Sequence, residues 1–412
     1  MKSRILKRII ASTLCLLLAF SLMTGNAITT SAKASSVTAK VTSGSSSGSF
    51  KLSSNDNLLA KSSSSYNHNL ANFMCGVSTL MYNDSIKEAK RVLKKVGYSN
   101  FKYSKDAKGD SVTYLISSKT VKIKKVKYDV LLVSIRGTES NEWEDNFNSG
   151  YQKTTHEGFS NAADKLYSAV ASYSKKYNLK KKKTKILITG HSRGAAVANL
   201  LAKKVDDNGV GQIKASKKNT FAYTFATPNT TSDENRAASS YNNIFNIINK
   251  DDFIAKLLPE SWGYGRYGIT YVLPENETSA FKKAYKKMSG DDYSFDQTSV
   301  DAIDQYFSDL TAFVTSNDEY YNKSLVTAEL TENEGKSLKN LYSKAFSMAM
   351  SGNTSLTFML EISSGKWGEV GTNTVSLFSD KAVLSSVMTT HGPATYLAKL
   401  QSYSKSDLSV KS

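Results

Sequence analysis

Gly190-His191-Ser192-Arg193-Gly194 fits the pattern G-x-S-x-G. In that pattern a serine stands on a sharp strand-to-helix turn and acts as a nucleophile. The chemistry is covalent acyl transfer, in which the hydroxyl attacks a carbonyl carbon once a neighbouring base removes its proton. Gly190 and Gly194 leave out side chains that would collide in such a turn. The Arg193 N–H, at the start of the following helix, is available to a developing oxyanion. The short pattern occurs twice, which gives an internal control. Gly44-Ser45-Ser46-Ser47-Gly48 also fits, but it lies in a Ser-rich stretch with no strand before it and no helix after it.

A serine nucleophile needs a base, and the chain has four histidines. His191 adjoins Ser192 inside the turn, so its side chain points elsewhere. His68 and His156 precede the nucleophile strand. Only His391 lies downstream, which suits the order Ser, acid, His of an α/β-hydrolase. Gly392-Pro393 follows it and marks a loop. The acid should follow a strand end between Ser192 and His391. Asp251 and Asp252 both do so, just after the apolar run Ile244 to Ile248, and position alone leaves the pair open.

The elements that must hold these residues are legible as alternating periodicities. Tyr128 to Ile135 reads as a strand buried on both faces. Phe159, Ala163, Leu166, Val170, Tyr173 and Tyr177 form one stripe of a helix. Ile186 to Ile188, Phe221 to Phe225, Ile244 to Ile248 and Gly268 to Leu273 read as further strands, and Ala195 to Val205 as a helix. This alternation predicts an α/β fold with a mostly parallel sheet and helices on both faces. Upstream, Leu70, Phe73, Met74, Val77, Leu80 and Met81 recur at helical spacing, with Cys75 among them as a small core residue. Between Pro274 and Asp380 helical stripes replace the strands, which predicts a helical cap inserted over about 275–380. Phe295, Ile303, Phe307, Leu310 and Phe313 form one stripe; Leu338, Leu341, Phe346 and Met350 form another.

Composition bounds the rest. The chain has 412 residues, 40% of them hydrophobic and 22% charged, which is enough to bury a core. Its two cysteines and scattered histidines exclude a disulfide scaffold and predict no metal site and no cofactor. The formal charge of +18 suits contact with an anionic membrane or envelope polymer. Aromatics are not interleaved with the basic run Lys180 to Lys183, which argues against nucleic acid. Residues 1–34 have the parts of a secretory signal: basic Lys2 to Arg8, apolar Ile9 to Met23, and the cleavage pattern Ala32-Lys33-Ala34. An exported protein is therefore expected, secreted or held at the cell envelope. Residues 35–65 read as a flexible Ser-rich linker, and 66–412 as one catalytic domain. Oligomeric state is not encoded in any of these features.

Taken together, the motifs resemble those of the class 3 lipase family, the fungal-type triacylglycerol lipases. Ile135-Arg136-Gly137-Thr138 is similar to that family's R-G-[ST] oxyanion segment, and His156-Glu157-Gly158-Phe159 to its H-x-G-F helix start. Thr224-Phe225-Ala226-Thr227-Pro228 resembles its T-F-G-x-P strand end. Asn249-Lys250-Asp251-Asp252-Phe253-Ile254 resembles its N-x-x-D-x-V acid segment, which puts the acid on Asp252. The family's His has a Tyr a few residues on, as in His391 to Tyr396. The resemblance implies a Ser192, His391, Asp252 triad and an oxyanion hole shared by Thr138 and Arg193. It makes His156 a structural residue. The implied activity is hydrolysis of carboxylic esters of acyl lipids. A phospholipase A1 or envelope-ester deacylase is the alternative enzyme, and a non-catalytic envelope-binding protein of the same fold is the alternative of another class. Four features differ from the family: Arg193 replaces an aliphatic residue, Ala195 replaces a glycine, the lid-aligned segment Glu139 to Asp145 carries four acids around Trp143, and the insertion from Pro274 to about Asp380 has no counterpart in the short fungal enzymes. The inserted cap is therefore expected to govern access.

Overall fold

Val130 to Val133 is apolar at every position because both of its faces are covered. Val130, Leu132, Leu187, Phe221, Tyr223 and Phe225 enter one core. Leu131, Val133, Ile135, Ile186, Ile188 and Ala222 enter another on the opposite side. Successive side chains of a strand face opposite ways, so a continuous apolar run feeds two cores at once.

The computed structural model describes residues 29–31, 34–43, 46–105, 111–137, 157–179, 183–258, 260–309, 377 and 380–411. In chain order, the elements begin with β1 (Thr29–Ser31), β2 (Ala34–Ser43), β3 (Ser46–Asn55), α1 (His68–Leu80), α2 (Ile86–Lys95), β4 (Ser99–Ser104), β5 (Tyr114–Ile123) and β6 (Val126–Ile135). Next come α3 (Glu157–Lys176), β7 (Thr184–His191), α4 (Arg193–Asn208), β8 (Thr220–Phe225), β9 (Ile244–Ile248) and β10 (Ile269–Val272). The chain closes with α5 (Ser279–Ser289), α6 (Lys381–His391), α7 (Pro393–Ser402) and β11 (Ser409–Val410). The main sheet runs β1-β5-β6-β7-β8-β9-β10-β11, with β4 also on β5. Strands β6 to β10 are mutually parallel; β5 is antiparallel to β4 and β6 but parallel to β1, and β11 is antiparallel to β10. Helices α1, α5 and α7 cover one face; α3 and α4 cover the other. This is the α/β-hydrolase arrangement.

Parallel pairing brings the strand ends that carry the motifs to one edge. Ile135 pairs with Gly190, His191 with Phe225, and Phe225 with Ile247. The segments after β6, β7, β8 and β9 therefore emerge side by side.

Three expectations need correction. Residues 35–65 are not a flexible linker. Strands β2 and β3 form an antiparallel hairpin, followed by the short 3-10 turn Asp56–Ala60. Ala39, Phe50, Leu52 and Leu59 are buried in the core with α1 and α5. Alternation explains why the composition misled: small hydroxyl residues occupy the outer face, and a few apolar residues hold the inner one. The hairpin belongs to the catalytic domain, so the boundary at 66 does not hold.

Second, the beginning of the insertion is core. Phe281 and Met288 of α5 and Tyr293 pack into the same cluster as Phe50. In the helical run 297–309, Phe307 stacks on Phe253 with ring centroids 5.2 Å apart, and Lys256 pairs with Asp304. These side chains are spent on packing beside the acid segment. The stripe from Leu338 to Met350 lies outside the described residues, as do Leu310 and Phe313.

Third, His391 is not in a loop. It is the last residue of α6 and is buried, and Gly392-Pro393 is the sharp joint into α7, with Pro393 in its first turn.

The apolar stretch Ile9 to Met23 lies outside the described residues. Within the segment read as an export signal, β1 pairs with Thr120 to Lys122, and Ala34 opens β2. Among the described residues no helix is long and apolar enough to cross a membrane.

Candidate functional site

Ser192 joins β7 to α4 with φ 60° and ψ −133°. Positive φ is uncommon for a non-glycine residue, and here it is imposed by the reversal from strand to helix. The turn is pinned by the Ser192 N–H, which donates to the Phe225 carbonyl at 2.9 Å. Close packing forces glycine beside it, since a Cβ on Gly190 would stand 2.3 Å from the Gly194 carbonyl oxygen. The sequence led us to expect an exposed hydroxyl. Ser192 does sit at the sheet's C-terminal edge, but it is only 2% exposed.

The base and the acid arrive from elements far along the chain. His391 Nε2 lies 2.8 Å from Ser192 Oγ. His391 Nδ1 lies 2.9 Å from Asp252 Oδ2 and 3.0 Å from Oδ1. Nδ1 faces a carboxylate, so it carries the hydrogen, and Nε2 of the neutral ring is left to accept from the serine. Asp252 is wholly buried and accepts two further hydrogen bonds. The Ile254 N–H donates to Oδ1 at 3.0 Å, and the Tyr396 hydroxyl donates to Oδ2 at 2.7 Å. Asp252 thus caps the 3-10 turn Phe253–Lys256 and meets the imidazole with the same carboxylate. Asp251, its neighbour, is half-buried, and the strongest charged influence on it is Lys399. Burial raises its carboxyl above the usual range, and the nearby Lys399 opposes that shift.

Beneath the acid lies a group of buried polar side chains, of which the sequence motifs contained Asn249 and Tyr396 without assigning them a role and did not include Lys399. The Asn249 N–H donates to the Tyr396 oxygen at 2.9 Å, and the Asn249 amide donates to the Thr390 carbonyl at 3.1 Å. Lys399, only 1% exposed, donates to Asn249 Oδ1 at 3.1 Å and to the Pro274 carbonyl at 2.7 Å. Burial lowers the Lys399 ammonium below its ordinary value, and Asp251 partly restores it. Tyr396 and Lys399 stand three apart on α7, so one helix face supplies both. That spacing was the available signal. On another side, Arg266 Nε donates to the Thr227 carbonyl at 2.6 Å, and its other arm reaches Ala255. Burial lowers this guanidinium to about 10, so it remains charged at neutral pH.

Arg193 is the first residue of α4 and is buried. That places it at the positive end of the helix dipole, beside Ser192, where the field favours negative charge. Thr138, the other expected oxyanion residue, lies outside the described residues, as do His156, the segment Glu139 to Asp145 and Lys180 to Lys182. The residue before Thr138 is described. A Cβ on Gly137 would stand 2.9 Å from Ser192 Cβ and 2.3 Å from the Tyr82 hydroxyl, so the segment after β6 runs against the nucleophile. His68 is remote from this site and bonds to the Leu400 carbonyl at 2.8 Å.

Residues 121–262 match the family model Lipase (class 3). No curated protein matches the chain. Among solved structures, a Rhizomucor miehei lipase in complex with its propeptide is 17% identical, covering 50% of this chain and 68% of its own, with a TM-score of 0.37. A lipase from Rhizopus microsporus var. chinensis is 20% identical over 51% of this chain and 76% of its own, with a TM-score of 0.38. A mono- and diacylglycerol lipase from Aspergillus oryzae is 15% identical over 52% of this chain and 83% of its own, with a TM-score of 0.40.

Proposed function

We propose that this member of the class 3 lipase family, a lipase-like carboxylic ester hydrolase, uses Ser192, His391 and Asp252 as its catalytic triad on esters of acyl lipids. The observation that carries the reading is the imidazole of His391, with Nε2 2.8 Å from Ser192 Oγ and Nδ1 2.9 Å from Asp252 Oδ2. In acylation, Ser192 Oγ bonds to the ester carbonyl carbon while its proton passes to His391 Nε2. The tetrahedral oxyanion is held by the Arg193 N–H and by Thr138. The carbon–oxygen bond to the alcohol then breaks, and His391 returns the proton to the leaving alkoxide. Water repeats the sequence to release the acid. Asp252 keeps Nδ1 protonated and faces the imidazolium that forms.

The acyl-lipid substrate is favoured by the family match, and the +18 charge favours esters displayed on an anionic surface, as in a phospholipid bilayer or envelope polymer. Export through residues 1–34 would bring the enzyme to such a surface. The test is hydrolysis of short-chain chromogenic esters by the purified chain, together with labelling by a long-chain alkyl phosphonate. Turnover with the phosphonate on Ser192 supports the reading. Absence of both leaves a non-catalytic protein of this fold.

A further inference from the structure

We infer that His191, locked by Tyr82 as a neutral imidazole carrying its hydrogen on Nε2, is a positioning residue that sets His391 against Ser192 and couples it to the oxyanion segment. This rests on the hydrolase reading above and adds to it a residue outside the triad.

The hydrogen assignment follows from acceptor chemistry. His191 Nε2 lies 2.8 Å from the main-chain carbonyl oxygen of His391. A carbonyl only accepts, so the hydrogen is on Nε2 and the neutral ring's Nδ1 is an acceptor. The Tyr82 hydroxyl, 2.9 Å from Nδ1, therefore donates to it. The same phenol oxygen receives the Gly137 N–H at 3.1 Å. A single directed chain thus runs Gly137 N–H to Tyr82, Tyr82 to His191, and His191 to the His391 carbonyl. It joins the residue before Thr138, the residue before Ser192 and the main chain of the base.

The neutral state suits the surroundings. His191 is buried, with the His391 ring 4.9 Å away, the Tyr82 ring edge-on at 5.4 Å and the Tyr396 ring edge-on at 5.6 Å. Burial lowers its basicity far below the ordinary value, and His391 lowers it further. When His391 takes the serine proton, the adjacent ring therefore stays uncharged.

The mechanical consequence concerns α6. Its last carbonyl groups have no partners within the helix, and His391 is its last residue. His191 binds that terminal carbonyl from the strand that carries the nucleophile. Base and nucleophile are thereby referenced to one backbone segment, which limits drift of the 2.8 Å contact. Small displacements of a reacting pair are costly in rate.

The experiment uses the full chain with His191→Phe, His191→Gln and Tyr82→Phe. Phenylalanine keeps the ring and removes both hydrogen bonds, whereas glutamine restores a donor near the position of Nε2. Steady-state kinetics on a short-chain chromogenic ester should show kcat down about 10- to 100-fold in His191→Phe with little change in KM. His191→Gln should recover most of the loss, and Tyr82→Phe should lower kcat severalfold. Nitrogen-15 NMR of histidine-labelled parent protein at neutral pH should show the His191 ring neutral with its hydrogen on Nε2. In Tyr82→Phe, the Nδ1 resonance should move. Parental kcat in a folded His191→Phe protein would overturn the proposal, as would no recovery in His191→Gln. A charged His191, or one protonated on Nδ1 instead, would also overturn it; the spectrum decides even where a variant does not fold. Loss of the hydrolase reading is recognised separately, because the parent protein would then neither turn over ester nor label at Ser192.

Discussion

The Tyr396 hydroxyl donates to Asp252 Oδ2 at 2.7 Å, on the same carboxylate that receives His391 Nδ1. Because Tyr396 also accepts the Asn249 N–H, it holds the acid loop and the acid itself in one contact. Tyr396→Phe should therefore lower kcat about 3- to 10-fold and cost about 1–3 kcal/mol of stability, as a buried N–H loses its acceptor. Ester kinetics and urea unfolding on one preparation check both numbers. A variant that matched the parent in both would remove Tyr396 from the site's support.

The choice between adjacent acids is testable by paired substitution. Asp252→Asn should lower kcat by about 10² to 10⁴, because an amide cannot hold the imidazole with Nδ1 protonated and stabilise its charge. Asp251→Asn should leave kcat within about threefold, since that carboxylate faces Lys399 and solvent. Equal losses, or a reversed order, would reassign the acid.

Ser192→Ala should abolish phosphonate labelling and lower hydrolysis by at least about 10³, with circular dichroism unchanged. Ser46→Ala, in the second copy of the motif, should hydrolyse ester at the parental rate. Residual labelling of Ser192→Ala would point to another nucleophile.

Phe50 tests whether the hairpin is structural. Its ring is buried against the core, so Phe50→Ala should cost about 3–5 kcal/mol. Replacement of a linker residue would cost nearly nothing. Urea midpoints separate the two outcomes.

Asp206 gives stability a pH dependence far from the active site. Burial raises its carboxyl to about 7, against the opposing hydrogen bonds from Asn243 and Thr220. The folded chain keeps a proton that the unfolded chain releases above about pH 4, so this group's contribution falls as pH rises from about 4 to 7. Asp206→Asn should flatten that decline. Unfolding midpoints at pH 5, 6 and 8 would show it, and an unchanged slope would mean that Asp206 is ionised in the folded state throughout.

The fold's centre was legible because its signals are local. Ile244 to Ile248 is a strand in the structure as in the sequence, and β6 to β8 extend their apolar runs by only a few residues. A strand buried on both faces must be apolar throughout, and no distant residue alters that requirement. The elbow is local as well, because the reversal at Ser192 needs small residues at fixed offsets. Strand β5 was not legible. Ser117, Ser118, Lys119 and Thr120 are buried there, and Lys119 is tolerated because Asp56, from another part of the chain, lies 2.6 Å from its ammonium. A buried cation is identified by its partner, and the partner is supplied by the fold.

The same distinction divides the site. Residue type and order singled out Ser192 and His391 as candidates for nucleophile and base, and the strand end narrowed the acid to two adjacent carboxylates. The family motif put the acid on Asp252, but the residues' own positions did not decide between the two, because neighbouring side chains leave the backbone in different directions and only packing shows which direction is inward. The positions of Tyr82, His191, Tyr396 and Lys399 were decided by tertiary structure too. Tyr82 and His191 stand 109 residues apart, and His191 and His391 stand 200 apart. Hydrogen bonds over such separations leave no periodicity in the sequence. They exist because a parallel sheet brings its strand ends to one edge, where residues distant in the chain become the only partners within reach.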